Sequence, residues 1–222
     1  MIEYYPILLL TVLAYFIGSV PAAVWIGRYF YGVDVREYGS GNAGSTNVYR
    51  TLGAKAGIAV QLIDILKGYL AASLASIFYS DLALFQAANY PLLKLAFGMA
   101  AVVGHVFPAF AEFRGGKGIN TLLGMMLSIH LWASVACLIT FVVVLIISHY
   151  VSLGSILGTL AFPVYLIVSA IILAKEPNQI LIIFGFVIFM VVVMTHQKNI
   201  QRIIRGNESK ASFLQKLKKR RR

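Results

Sequence analysis

Five apolar runs, at 5–30, 56–79, 92–111, 153–174 and 179–195, punctuate the chain. Each approaches or exceeds the roughly 20 residues that a helix needs to cross a bilayer, so each reads as a transmembrane helix. Another apolar stretch, 119–149, has 31 residues. As one helix it would reach ~46 Å against a hydrocarbon core of ~30 Å. The alternative is two short, tilted helices turning near His130–Trp132.

Composition agrees with a membrane protein. The 222 residues are 59% hydrophobic and 12% charged, with mean hydropathy +0.82, whereas a soluble domain carries about 25% charged residues. A net charge of +11 would suit nucleic acid in a soluble protein. Here it reads as basic residues held on the cytoplasmic side beside anionic lipid, with no nucleic-acid partner. The single cysteine, Cys137, excludes an internal disulfide and a cysteine metal cluster. The N-terminus lacks a basic leader, carries Glu3, and has too long an apolar stretch for a signal peptide.

Charge also chooses between the two readings of 119–149. Sixteen of the nineteen Lys and Arg lie after the first apolar run, after the third, or in the tail from Lys198. Two crossings by 119–149 put all sixteen on one side, as the positive-inside rule requires; one crossing puts the ten tail residues outside. The expectation is an all-α integral membrane protein with seven transmembrane helices, N-terminus outside and C-terminus cytoplasmic. A membrane domain over 1–208 precedes a basic tail over 209–222.

The unusual polar segments then share the cytoplasmic face. "GSGNAGSTN", Gly39–Asn47, has glycines that let several N–H groups converge, the geometry of an anion nest. Its Ser40, Asn42, Ser45, Thr46 and Asn47 are neutral donors, and Arg50 is a planar cation suited to phosphate. The plainer alternative is a flexible tether. "RGGKG", Arg114–Gly118, departs from a nucleotide P-loop, with Ala111 and Gly118 where Gly and Ser/Thr belong. A glycine-flanked Lys117 opening a helix still suits phosphate, or simply sets topology. His196 and Asn199 are three apart and would share one helix face, as a base with its neighbour or as an interfacial cap. Asp64 and Lys67 read as a neutralising pair within a span, and His105 as a bundle residue. Two anion sites, each with a cation, suggest two phosphorylated ligands. No acidic cluster exists to hold Mg²⁺, which argues against kinase chemistry. A transporter of phosphate esters or other anions is the competing class, but it predicts midplane sites in repeated halves.

"GSGNAGSTNVYR", "GHVFPAFAEFRGGKGINT", "YVSLGS" and "HQKNIQRIIRGNE", in this order between spans, resemble the bacterial membrane glycerol-3-phosphate acyltransferases that use acyl phosphate, the PlsY family. The resemblance covers about residues 5–208. It implies transfer of a fatty acyl group from acyl phosphate to the 1-hydroxyl of sn-glycerol 3-phosphate. The products would be lysophosphatidic acid and inorganic phosphate, the first acylation of phospholipid biosynthesis. It implies no cofactor or metal, and a site on the cytoplasmic face of the bacterial inner membrane. Ser40, Arg50, His196 and Asn199 correspond to catalytic positions. Gly39, Gly41, Asn42, Gly44, Thr46, Asn47, Gly115, Gly116, Lys117, Gly118, Ser152 and Ser155 correspond to substrate-binding ones, with Lys117 on glycerol phosphate. His105 and Glu208 correspond to structural positions near the site. The partners implied are glycerol 3-phosphate and fatty acyl phosphate, while the basic tail is expected on anionic membrane lipid. The HxxxxD motif of other glycerolipid acyltransferases is absent.

Overall fold

A computed structural model describes residues 5–78 and 90–211, and every regular element among them is helical. The chain divides into two compact units, Met1–His130 and Leu131–Arg222.

The first unit holds α1 (Tyr5–Gly18), α2 (Ala22–Tyr31), α3 (Ser45–Thr51), α4 (Ala54–Ser73), α5 (Tyr90–Val106) and α6 (Ile119–Ile129). The first span, Tyr5–Tyr31, breaks at Ser19–Val20–Pro21, where proline supplies no N–H and ends the run of α1 bonds. Helices approach closely through glycine, as membrane helices do without a hydrophobic drive between them. A Cβ on Gly18 would strike the Ala101 backbone, and one on Gly104 would strike Tyr15 O, which joins α1 to α5. Gly68 against Thr121 O and Gly124 against Ile65 O join α4 to α6 in the same way.

The second unit holds α7 (Leu131–Ser148), α8 (Val151–Ile172), α9 (Gln179–Thr195) and α10 (Gln197–Ile204). Gly154 and Gly158 of α8 face Phe141 of α7, and Gly185 of α9 faces Pro163. The α10 axis turns 62° from α9 at His196.

The large exposed side chains include Leu9, Leu62, Leu66, Ile147 and Ile183, as exposure to lipid requires. The protein is therefore a multi-pass helical membrane protein. Among the described residues, five helical segments are long and apolar enough to span, or six if α9 and α10 count as one bent span. The stretch 119–149 is not one helix: His130 is extended (φ −149°, ψ 94°) between α6 and α7. With 11 residues, α6 reaches only ~16 Å at about 1.5 Å per residue. The expected basic tail, 209–222, falls almost wholly outside the described residues.

Candidate active site

The polar motifs converge in two groups, one per unit. In the first, the loop before α3 is closed by Asn47, which is 2% exposed. Its Nδ2 donates to Val35 O at 2.8 Å and Tyr38 O at 3.0 Å, while its Oδ1 accepts from Ser40 N at 2.9 Å. Gly39 and Gly41 carry the left-handed φ values (+61° and +70°) that this turn requires. A Cβ on Gly39 would also strike Asn47 Oδ1. The loop is thus an ordered turn, not a tether. The Gly41 N–H is spent on Tyr38 O at 3.0 Å, so with Ser40 N two amides of the expected nest are already used internally. Among the described residues, Asn42, Ala43 and Gly44 make no backbone N–H bond. Ser40 and Arg50 have exposed side chains, and Asn42 and Thr46 are half-buried.

The second motif folds back onto the end of α5. Gly115 N donates to Val106 O at 3.1 Å and Gly116 N to His105 O at 3.2 Å. These bonds satisfy carbonyls that the helix end leaves orphaned. A Cβ on Gly115 would strike His105 O, and one on Gly116 would strike His105 Nε2. Gly118, at φ +77°, opens α6, and half-buried Lys117 stands directly before that positive helix end. The motifs are tied together. Asn120 Nδ2 donates to Ser45 Oγ at 2.9 Å, and Arg36 Nη1 to Ala111 O at 2.9 Å. Arg36 also grips Asp34, which Arg28 reaches at 2.8 Å. The Arg36 bond holds the Asp34 carboxyl far below the usual range, while Asp34 raises Arg36. Burial pushes the Tyr49 phenol up.

In the second unit, buried Glu208 is the hub. Its Oε1 accepts from Ser152 Oγ at 3.0 Å and Asn199 Nδ2 at 2.8 Å. Its Oε2 lies 2.9 Å from Arg202 Nε. Ser155 instead bonds back to Val151 O within α8. His196 is 3% exposed, with Nδ1 2.8 Å from Val192 O. His196 occupies the bend as the N-cap of α10, its carbonyl accepting from Ile200 N at 2.9 Å, and Asn199 lies three residues into that helix.

Sequence reading missed Arg36, Asn120 and the approach of His105 to Asp64, 3.4 Å apart. Only Asp64 left a signal, as an acid inside an apolar run. No group of three or more His, Cys, Asp or Glu able to hold a metal occurs among the described residues.

The described residues thus form a helical membrane protein with two glycine-rich, cation-bearing turns on one unit and a carboxylate hub on the other. The chain belongs to the glycerol-3-phosphate acyltransferase family, whose description matches residues 8–206. It is 39% identical over 224 residues to the glycerol-3-phosphate acyltransferase of Chlorobaculum tepidum, covering 93% of this chain and 97% of that one. It is 39% identical over 206 residues to that of Salinibacter ruber, covering 90% of each. It is also similar to the crystal structure of PlsY (YgiH), an integral membrane glycerol 3-phosphate acyltransferase, in its glycerol 3-phosphate form. The TM-score is 0.79 and the identity 32%, over 96% of this chain and 98% of that one. The lysophosphatidic acid form gives 0.74 and 32%, over 92% and 95%. The protein is an acyltransferase of phospholipid biosynthesis, of the PlsY type.

Proposed function

We propose that this enzyme moves a fatty acyl group from acyl phosphate to the 1-hydroxyl of sn-glycerol 3-phosphate. The hydroxyl oxygen forms an ester bond to the acyl carbon. The acyl carbon–oxygen bond to phosphate breaks, and inorganic phosphate leaves with that electron pair. The hydroxyl proton passes to His196 or to the departing phosphate. An acyl phosphate is already activated, so positioning and charge stabilisation suffice, without a cofactor or metal.

The observation that carries this reading is the pair of glycine turns, at 39–47 and 115–118, joined through Asn120 and Ser45. Two phosphate-suited turns match two phosphorylated substrates. Lys117 and the glycines at 115, 116 and 118 take the phosphate of glycerol 3-phosphate. The loop from Gly39 to Gly44, with Thr46, takes that of acyl phosphate. Ser40 and Arg50 serve catalysis by side chain, as His196 and Asn199 do. Asn42 contributes a donor. Asn47 shapes the loop, while Ser152, Ser155, His105 and Glu208 support the site.

The proposed topology has seven crossings over domain 1–208, N-terminus outside and C-terminus cytoplasmic, in the bacterial inner membrane with a cytoplasmic active site. It requires α6 to cross as a short segment with its flanking loop; otherwise the ten tail cations lie outside, against the positive-inside rule. The tail, 209–222, meets anionic lipid.

Purified enzyme given glycerol 3-phosphate with palmitoyl phosphate should release phosphate and lysophosphatidic acid, and with palmitoyl-CoA should not. Product from the thioester alone would defeat the donor assignment. In the same assay Lys117→Ala should raise KM for glycerol 3-phosphate by roughly 10- to 150-fold. An unchanged KM would leave the lysine a topology signal only.

A further inference from the structure

Asp64, Lys67 and His105 are buried together within or beside membrane-crossing helices, at 1%, 5% and 6% exposure. Buried charge in a membrane is costly, so such groups pair or serve function. Lys67 has a structural task. Its Nζ is 2.8 Å from Asp64 Oδ1 and donates at 2.9 Å to Val20 O, a carbonyl at the Pro21 break. Were Asp64 only the counter-ion of Lys67, nothing would require an imidazole beside it. Yet the same Oδ1 stands 3.4 Å from His105 Nδ1, close enough to attract the ring but not aligned as a hydrogen bond. The opposite edge of that ring, Nε2, lies where any side chain on Gly116 would sit. The His105 carbonyl holds the Gly116 amide. Lys117 follows directly. The carboxylate, the ring and the GGK turn therefore form one stack from α4 through α5 to the second motif.

We propose that Asp64 and His105 are positioning residues for the glycerol phosphate site: the carboxylate orients the imidazole, and the imidazole, seated under Gly116, sets where Lys117 stands. This rests on the reading of Lys117 as the glycerol phosphate cation. It makes the buried acid part of substrate recognition, although it does not touch substrate. Gly116 is then fixed as glycine by the ring beneath it, while its φ stays outside the left-handed range.

The test separates stability from positioning. Asp64→Asn alone leaves Lys67 buried without its counter-charge, so a loss of folding there is uninformative. The double variant Asp64→Asn/Lys67→Gln removes both charges and keeps an amide donor for Val20 O. Its Tm should return towards wild type. Its KM for glycerol 3-phosphate should stay raised by about tenfold or more, the scale expected when a displaced Lys117 loses its charge-assisted contact with the phosphate, with kcat within about threefold. The KM for acyl phosphate should not move. His105→Gln, which retains the backbone carbonyl, should give the same split. A KM that recovers with Tm in the double variant makes Asp64 a counter-ion and overturns the proposal. So does a folded His105→Gln enzyme with wild-type KM. If wild-type enzyme shows no saturation by glycerol 3-phosphate, the reading of Lys117 fails instead. Amide exchange at Gly115 and Gly116 then decides: faster in the double variant supports the stack, unchanged overturns it.

Discussion

His196 Nδ1 lies 2.8 Å from the carbonyl oxygen of Val192, one turn back along α9. A carbonyl only accepts, so Nδ1 carries the proton and, in the neutral ring, Nε2 carries the lone pair. His196→Asn keeps an amide donor near the Nδ1 position and so keeps the cap at the bend. It loses the ring nitrogen that could take a proton. If His196 is the base, turnover should fall by roughly 10²-fold or more while thermal stability changes little. Turnover near wild type in that variant would assign the proton to the leaving phosphate.

Asn47 and Gly39 should behave as one unit. Asn47→Ala removes three hydrogen bonds and should destabilise the first unit by about 2–3 kcal/mol. Gly39→Ala pushes a Cβ into Asn47 Oδ1 at φ +61°, displacing the same clamp. Acyl transfer should drop in both. The double variant should be little worse than the worse single one, because the second change breaks what is already broken. Fully additive costs would show that the two residues act separately.

Glu208 gathers Ser152, Asn199 and Arg202. Glu208→Ala leaves a buried hydroxyl and an amide without their acceptor, at a cost of about 1–3 kcal/mol in unfolding free energy. It also releases Asn199, so turnover should fall further than stability alone explains. A stable variant with full turnover would remove Asn199 from the catalytic group.

Asp34 should make the protein acid-sensitive. Its folded-state pKa is depressed, first by the Arg36 hydrogen bond. A depressed carboxylate contributes stability that is present above its unfolded pKa, ~3.9, and is lost as pH falls through the folded value. The stability difference between wild type and Asp34→Asn should be constant above about pH 5 and shrink below about pH 4. A difference that persists unchanged to about pH 2 would show that the pair does not couple to folding.

Hydropathy along the chain was enough to read a multi-pass helical protein, because the need to bury or expose backbone in lipid acts on each segment separately. The four motifs and their order were enough to reach the family. Glycine with asparagine between spans pointed to a shaped turn, and Gly39 and Gly41 do take left-handed φ. Other features depended on partners distant in sequence. The break at His130 was legible, because one 31-residue helix would overrun the bilayer and leave the basic tail outside; the bend at His196 was not, because it closes an apolar run that gives no sign of it. The same holds for the work of single side chains. Asn47 read as a ligand donor, yet its amide is spent closing its own loop. Arg36 reaches Ala111 and Asn120 reaches Ser45 across 75 residues, and Ser152 reaches Glu208 across 56. His105 looked like ordinary bundle filling until packing set it between Asp64 and Gly116. A hydrogen bond or a close approach of this kind depends on where two distant segments meet in space. Periodicity and composition, which are local, carry no record of that meeting; only the packed helices bring the partners within reach.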